Sequence, residues 1–127
     1  VSKDDGKSIF KSLTKEIEQP IEKACAEYIK GLMVETVNSG TGKNAAISEI
    51  QVAGKTGTAE NEKEEAHSWF VGFAPAEHPE VLAMVVIHDP QGVYYGGTIA
   101  APVIRDVFEN ILPYLGIEKE EESVYTN

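Results

Sequence analysis

Cysteine is nearly absent from this 127-residue sequence: Cys25 stands alone, which excludes an internal disulfide framework and any multi-cysteine metal site. Basic residues are also scarce. The 11 Lys and Arg face 21 Asp and Glu, for a formal net charge of −10, which argues against a nucleic-acid surface, since such surfaces depend on basic contacts to phosphate. No apolar run approaches the roughly 20 residues a membrane-spanning helix needs, and the stretch given does not open on a charged-then-apolar leader. The three histidines, His67, His78 and His88, form no His-x-x-x-His pair, so a zinc site is not expected; no cofactor is expected either. What is present is ordinary globular composition, 42% hydrophobic and 25% charged, in a length that fits one domain.

The acidity is concentrated. Residues 60–65 (ENEKEE) and 118–122 (EKEEE) hold eight of the 21 acids and two of the 11 bases, leaving 13 acids against 9 bases elsewhere. Both runs read as solvated segments, a loop and a tail, so the net charge says little about partners.

Residues 1–19 carry an Asp4-Asp5-Gly6 turn signal and read as extended or hairpin structure. Residues 20–116 read as a helix, three strands and a second helix, and residues 117–127 as an acidic tail. Pro20 suits the first turn of the first helix. Ile21, Ala24, Cys25, Tyr28, Ile29, Leu32, Met33 and Val37 follow at helical spacing, Cys25 thus reading as a buried thiol. Gly31 suggests close packing, and Gly40 a left-handed cap. The strands are expected near 50–59, 68–74 and 81–87. The last two are apolar on both faces, which predicts cover on both sides, and their short polar connections predict antiparallel pairing. Gly96-Gly97 introduces the last helix, with Ile99, Val103, Ile104, Val107, Phe108, Ile111 and Leu112 as its stripe. The fold class is α+β.

The informative stretch is Val52-Ala53-Gly54-Lys55-Thr56-Gly57-Thr58-Ala59-Glu60. Its Gly-Lys-Thr invites a phosphate-loop reading, but that loop needs a glycine where Glu49 stands, and the upstream Gly42-Lys43 pair fails similarly at Val37 and Asn44. A strand bordering a cleft fits better. Its edge can bind an extended peptide, Lys55 supplies a fixed positive charge for a carboxylate, and Gly57 removes a side chain where substrate presses on backbone. Thr56 and Thr58 add hydroxyls, and the Thr58 N–H could stabilise an oxyanion. Trp69, Phe70 and Phe73 read as core, and Arg105 and Asp106 as a solvated face.

Lys55-Thr56-Gly57 resembles the Lys-Thr-Gly signature of active-site serine penicillin-recognising enzymes. Gly40-Thr41-Gly42, His67 to Pro75, Gly96-Gly97 and Ala100-Ala101-Pro102-Val103 surround it in the same order. Over about residues 14–116 the sequence resembles the C-terminal part of the transpeptidase domain of class B penicillin-binding proteins. The resemblance implies a β-lactamase/D,D-transpeptidase-like fold, an antiparallel sheet covered by helices. It implies a D,D-transpeptidase that cross-links peptidoglycan stem peptides through a serine acyl-enzyme and binds β-lactams. In that reading Lys55, Thr56, Gly57 and Thr58 bind substrate, Lys55 also relaying protons and Thr58 giving half of the oxyanion hole. The protein would act outside the cytoplasm on an upstream membrane anchor. A β-lactamase or β-lactam sensor domain, and a non-catalytic module of the same fold, stay open as alternatives.

The family's Ser-x-x-Lys nucleophile motif has no convincing counterpart. Ser8-Ile9-Phe10-Lys11 and Ser12-Leu13-Thr14-Lys15 match by letters, but they lie in a segment too polar for a central helix, and no Ser-x-Asn follows them. Ser8 and Ser12 are read as coincidental. Tyr125-Thr126-Asn127 resembles a variant of Ser-x-Asn but lies after Lys-Thr-Gly. The expectation is a piece of a larger domain that pairs with its remainder and is inactive alone.

Overall fold

A computed structural model of the chain describes residues 18–60 and 66–117, and the backbone of residues 3–4 and 7–8. Ser12 with its lysines, the glutamates of 61–65 and the tail with Tyr125-Thr126-Asn127 lie outside the described residues. Strands β1 (Lys3–Asp4) and β2 (Lys7–Ser8) pair antiparallel.

Three longer strands form the main sheet: β3 (Ala53–Glu60), β4 (Ala66–Ala74) and β5 (Val81–His88). They form an antiparallel meander with β4 central, and β3 pairs only with β4 among the described residues. Period-2 alternation sorts the side chains onto two faces. Ala66, Ser68, Phe70, Gly72 and Ala74 of β4 are all buried on one face, flanked by the half-buried Val81, Ala83, Val85 and Ile87 of β5. Helix α1 (Lys23–Asn38), a 3₁₀ turn (Lys43–Ala45), a four-residue turn α2 (Gly96–Ile99) and helix α3 (Ala101–Tyr114) complete the main body.

The core lies between the β4 face and α3. Val37, Ala45, Val52, Phe70, Ala74, Ala100, Ala101, Ile104, Phe108 and Leu112 form one buried cluster. The expected stripe of the last helix divides in two. Ile104, Phe108 and Leu112 are buried, while Val103, Val107 and Ile111 lie about four tenths exposed on another face. Pro102 sits in the first turn of α3 and Pro113 in its last. The helix closes at Gly116, φ 75°, where Gly116 N–H donates to the Pro113 carbonyl and Ile117 N–H to that of Leu112. That pair of bonds is the Schellman closure, which requires a left-handed residue.

Helix α1 departs from its sequence reading. It starts at Lys23, beyond Pro20 and Ile21, and only Val37 is buried. Tyr28, Ile29 and Leu32 are 69%, 44% and 52% exposed, and Cys25 is exposed rather than buried. Helical spacing shows which residues share a face; it does not supply a partner for that face. Gly31 has no close neighbour. Gly40 is not left-handed; it is small because a β-carbon there would come within 2.9 Å of the Thr36 carbonyl oxygen.

The second face of the sheet also differs from expectation. Leu82, Met84 and Val86 of β5 are 71%, 57% and 41% exposed. Helix α3 packs on the Phe70 face.

Candidate active-site cleft

The cleft gathers segments distant in the sequence. Strand β3 supplies Thr56 and Thr58, whose side chains stand on the same sheet face as their partners Phe70 and Ser68. The turn after α1 supplies Thr41, Lys43 and Asn44, and the segment before α3 supplies Tyr95 and Gly97. Together they line a cavity of about 320 Å³.

Hydrogen bonds fix its walls. The Thr41 and Thr56 hydroxyls are 3.0 Å apart, joining the turn to the strand. Asn44 Nδ2 donates to the Gly97 carbonyl at 2.8 Å, and Gly96 N–H donates to Thr58 Oγ1 at 3.4 Å. Gly97 is small by necessity, since a β-carbon there would overlap the Thr41 carbonyl oxygen. Behind the cleft, the fully buried Ser68 hydroxyl donates to the Tyr94 carbonyl, tying the segment after β5 to the central strand. A buried hydroxyl needs such a partner, and no described buried side-chain polar atom lacks one. Tyr95 is 60% exposed at the rim, its ring stacked on Tyr94 at a centroid distance of 5.0 Å. The neighbouring Tyr95 phenol first, and then the Glu60 carboxylate, hold the Tyr94 phenol above its ordinary pKa, since both oppose a new phenolate.

The four residues of the Lys-Thr-Gly-Thr run separate by face. Thr56 and Thr58 line the cleft. Lys55 is exposed and does not line it; its Nζ donates to the Thr56 carbonyl at 2.6 Å. The cation that lines the cavity is Lys43. Gly57 has a neighbour within the chain: the Trp69 side chain occupies the space a β-carbon would take. Phe70 is core, as its pattern indicates, whereas Trp69 and Phe73 are half-buried on the other face. Ser8 lies in β2. His67 stands away from the cleft, its Nδ1 3.0 Å from that of His88. Glu49, in the turn before β3, has φ 67°. Residue chemistry alone does not mark Thr41 or Tyr95, and it brings in Lys43 and Asn44 only through the failed phosphate-loop match, although Gly40-Thr41-Gly42 and Gly96-Gly97 mark their segments.

Comparison with known proteins places this architecture. Residues 4–109 match the family model of the penicillin-binding protein transpeptidase domain. Stage V sporulation protein D of Bacillus subtilis is 33% identical over 113 residues, covering 84% of this chain and 18% of that protein. Peptidoglycan D,D-transpeptidase FtsI of Escherichia coli is 34% identical over 123 residues, covering 86% of this chain and 21% of that protein. Among solved structures, the D,D-transpeptidase domain of a peptidoglycan glycosyltransferase from Eggerthella lenta superposes with a TM-score of 0.74 at 36% identity, covering 86% of this chain and 25% of that one. The chain thus spans about a fifth of the length of these two curated relatives.

Proposed function

The chain belongs to the transpeptidase-domain family of penicillin-binding proteins, and from that premise we propose that it supplies the substrate-binding strand of a peptidoglycan D,D-transpeptidase. The observation that carries this reading is the pair of hydroxyls, Thr56 and Thr58, held in one cleft beside Lys43 and Asn44 on a strand whose outer edge pairs with no described residue.

An extended stem peptide adds along the open edge of β3 by main-chain hydrogen bonds. Its terminal carboxylate takes the Thr56 and Thr58 hydroxyls with the positive charge of Lys43 beside them, while Lys55, outside the cavity lining, adds its charge at longer range. Lys55 assists proton transfer once its Nζ leaves the Thr56 carbonyl and turns to the reacting groups. The Thr58 N–H serves as one donor of the oxyanion hole at the moment negative charge develops on the attacked carbonyl. β-Lactams enter the same cleft as mimics of the peptide terminus. The serine that forms the acyl-enzyme is neither Ser8 nor Ser12, and the reaction takes place outside the cytoplasm.

Labelled penicillin tests the reading in two arms. A transpeptidase that carries this strand is acylated, and Lys55→Ala or Thr58→Val slows acylation at least tenfold. The 127-residue chain alone gives no adduct by intact-mass measurement. An adduct mapped to Ser8 or Ser12 would overturn the assignment of the nucleophile elsewhere, and unaltered acylation in both variants would overturn the role of the strand.

A further inference from the structure

His67 and His88 are register partners across the β4–β5 pair, at the end of the sheet where β5 stops. Their Nδ1 atoms are 3.0 Å apart and the rings meet edge to face, at a centroid distance of 5.0 Å and an interplanar angle of 75°. The backbone holds this approach. His67 is on the central strand, and just beyond the pair Asp89 N–H donates to the Ala66 carbonyl at 2.8 Å. When both rings are neutral, only one of the two facing nitrogens can carry a proton, and the other offers its lone pair.

Two imidazole nitrogens at this distance also match a chelate once each ring turns to direct its lone pair at one common point. With metal–nitrogen bonds of about 2.0–2.1 Å, donors 3.0 Å apart subtend about 94° at the metal, whereas a tetrahedral ion would need them about 3.3 Å apart. An angle near 90° is the cis angle of tetragonal coordination, preferred by Cu²⁺ and Ni²⁺, and imidazole suits both ions. We propose that His67 and His88 form a two-histidine chelate for a divalent transition ion of the Ni²⁺/Cu²⁺ class. Among the described residues no group of three or more ligating side chains occurs, so the two imidazoles supply two of the coordination positions there. Binding puts a metal bridge between the two Nδ1 atoms, the proton of the donating ring moving through solvent to its own Nε2, and fastens β5 to β4 at the sheet's end. This site is separate from the Thr56–Thr58 cleft and does not depend on the function proposed for it.

Titration of the 127-residue chain with NiCl₂, followed by calorimetry and by thermal melting, tests the site. One Ni²⁺ binds per chain and raises the melting temperature by several degrees at saturation, as any ligand selective for the folded state does. His67→Gln and His88→Gln each weaken binding at least tenfold and abolish the rise, while His78→Gln, in a different part of the structure, changes neither. Should His67→Gln fail to melt cooperatively, the exposed His88→Gln variant decides alone. Absence of saturable Ni²⁺ binding by the folded chain, or wild-type affinity in His88→Gln, would overturn the proposal.

Discussion

The Trp69 indole lies across the backbone of Gly57, so that a β-carbon at residue 57 would come 2.6 Å from the indole nitrogen and closer still to its ring carbons. Gly57 and Trp69 are register partners on β3 and β4. The glycine is therefore demanded by the sheet itself, whatever substrate adds. Gly57→Ala should destabilise the chain by about 1–3 kcal/mol, the usual cost of overpacking. The penalty should shrink by more than half in a Trp69→Ala background, as a double-mutant cycle of denaturant melts would reveal. An equal penalty in both backgrounds would mean that the indole is not the obstacle.

Phe70 and Leu82 stand on neighbouring strands but opposite faces, and they should respond very differently to truncation. Phe70 is fully buried in the core cluster, so Phe70→Ala should cost about 3–5 kcal/mol. Leu82 is 71% exposed, and Leu82→Ala should fall within about 0.5 kcal/mol of wild type. Urea melts of the two variants measure this contrast, which tests the one-sided position of the core.

Thr56→Val separates recognition from stability. It removes the hydroxyl bonded to Thr41, an exposed pair worth about 0.5–1.5 kcal/mol. Melting should therefore change little, while penicillin acylation of a transpeptidase carrying this strand should fall about tenfold. A parallel loss of both would assign Thr56 a structural role only.

Glu27 offers a pH test on the surface. Its carboxyl is held below the ordinary carboxylate pKa, first by a hydrogen bond from Lys30 and then by the charge of that ammonium, 2.6 Å away. A depressed folded-state pKa gives stability that is present above the unfolded value and fades as pH falls through the folded one. Lys30→Ala should return the Glu27 titration, followed by carboxyl NMR, to the ordinary range.

Elements whose pattern reports a buried face were legible from the residues. Strand β4 and helix α3 appear close to where a short apolar run and helical spacing put them, and Phe70, Ile104, Phe108 and Leu112 are core. Helix α1 shows the limit of that reading, because spacing identifies its apolar stripe but cannot say whether anything covers Tyr28, Ile29 and Leu32. The 3₁₀ turn at Lys43–Ala45 carries no periodic signal at all, being three residues long.

The cleft was legible by half. The run from Lys55 to Thr58 marks the strand, and strand alternation alone implies that Lys55 and Thr56 project from opposite faces. Thr41, Asn44 and Tyr95 enter the cleft only through tertiary contacts, Asn44 reaching a carbonyl 53 residues away. No local pattern encodes such a meeting.

The row of Leu82, Met84 and Val86, exposed among the described residues, bears on how copies of this chain should behave in solution. At −10, two copies repel through solvent over a range fixed by electrolyte, about 30 Å at 0.01 M and about 3 Å at 1 M. Contact between apolar strands acts at touching distance and does not weaken with salt. Dispersion is thus a contest between a long reach and a short one, and ionic strength chooses the winner. Light scattering should find single molecules in dilute buffer and growing clusters in concentrated salt; clustering that does not depend on salt would show that the acidity plays no part in keeping copies apart.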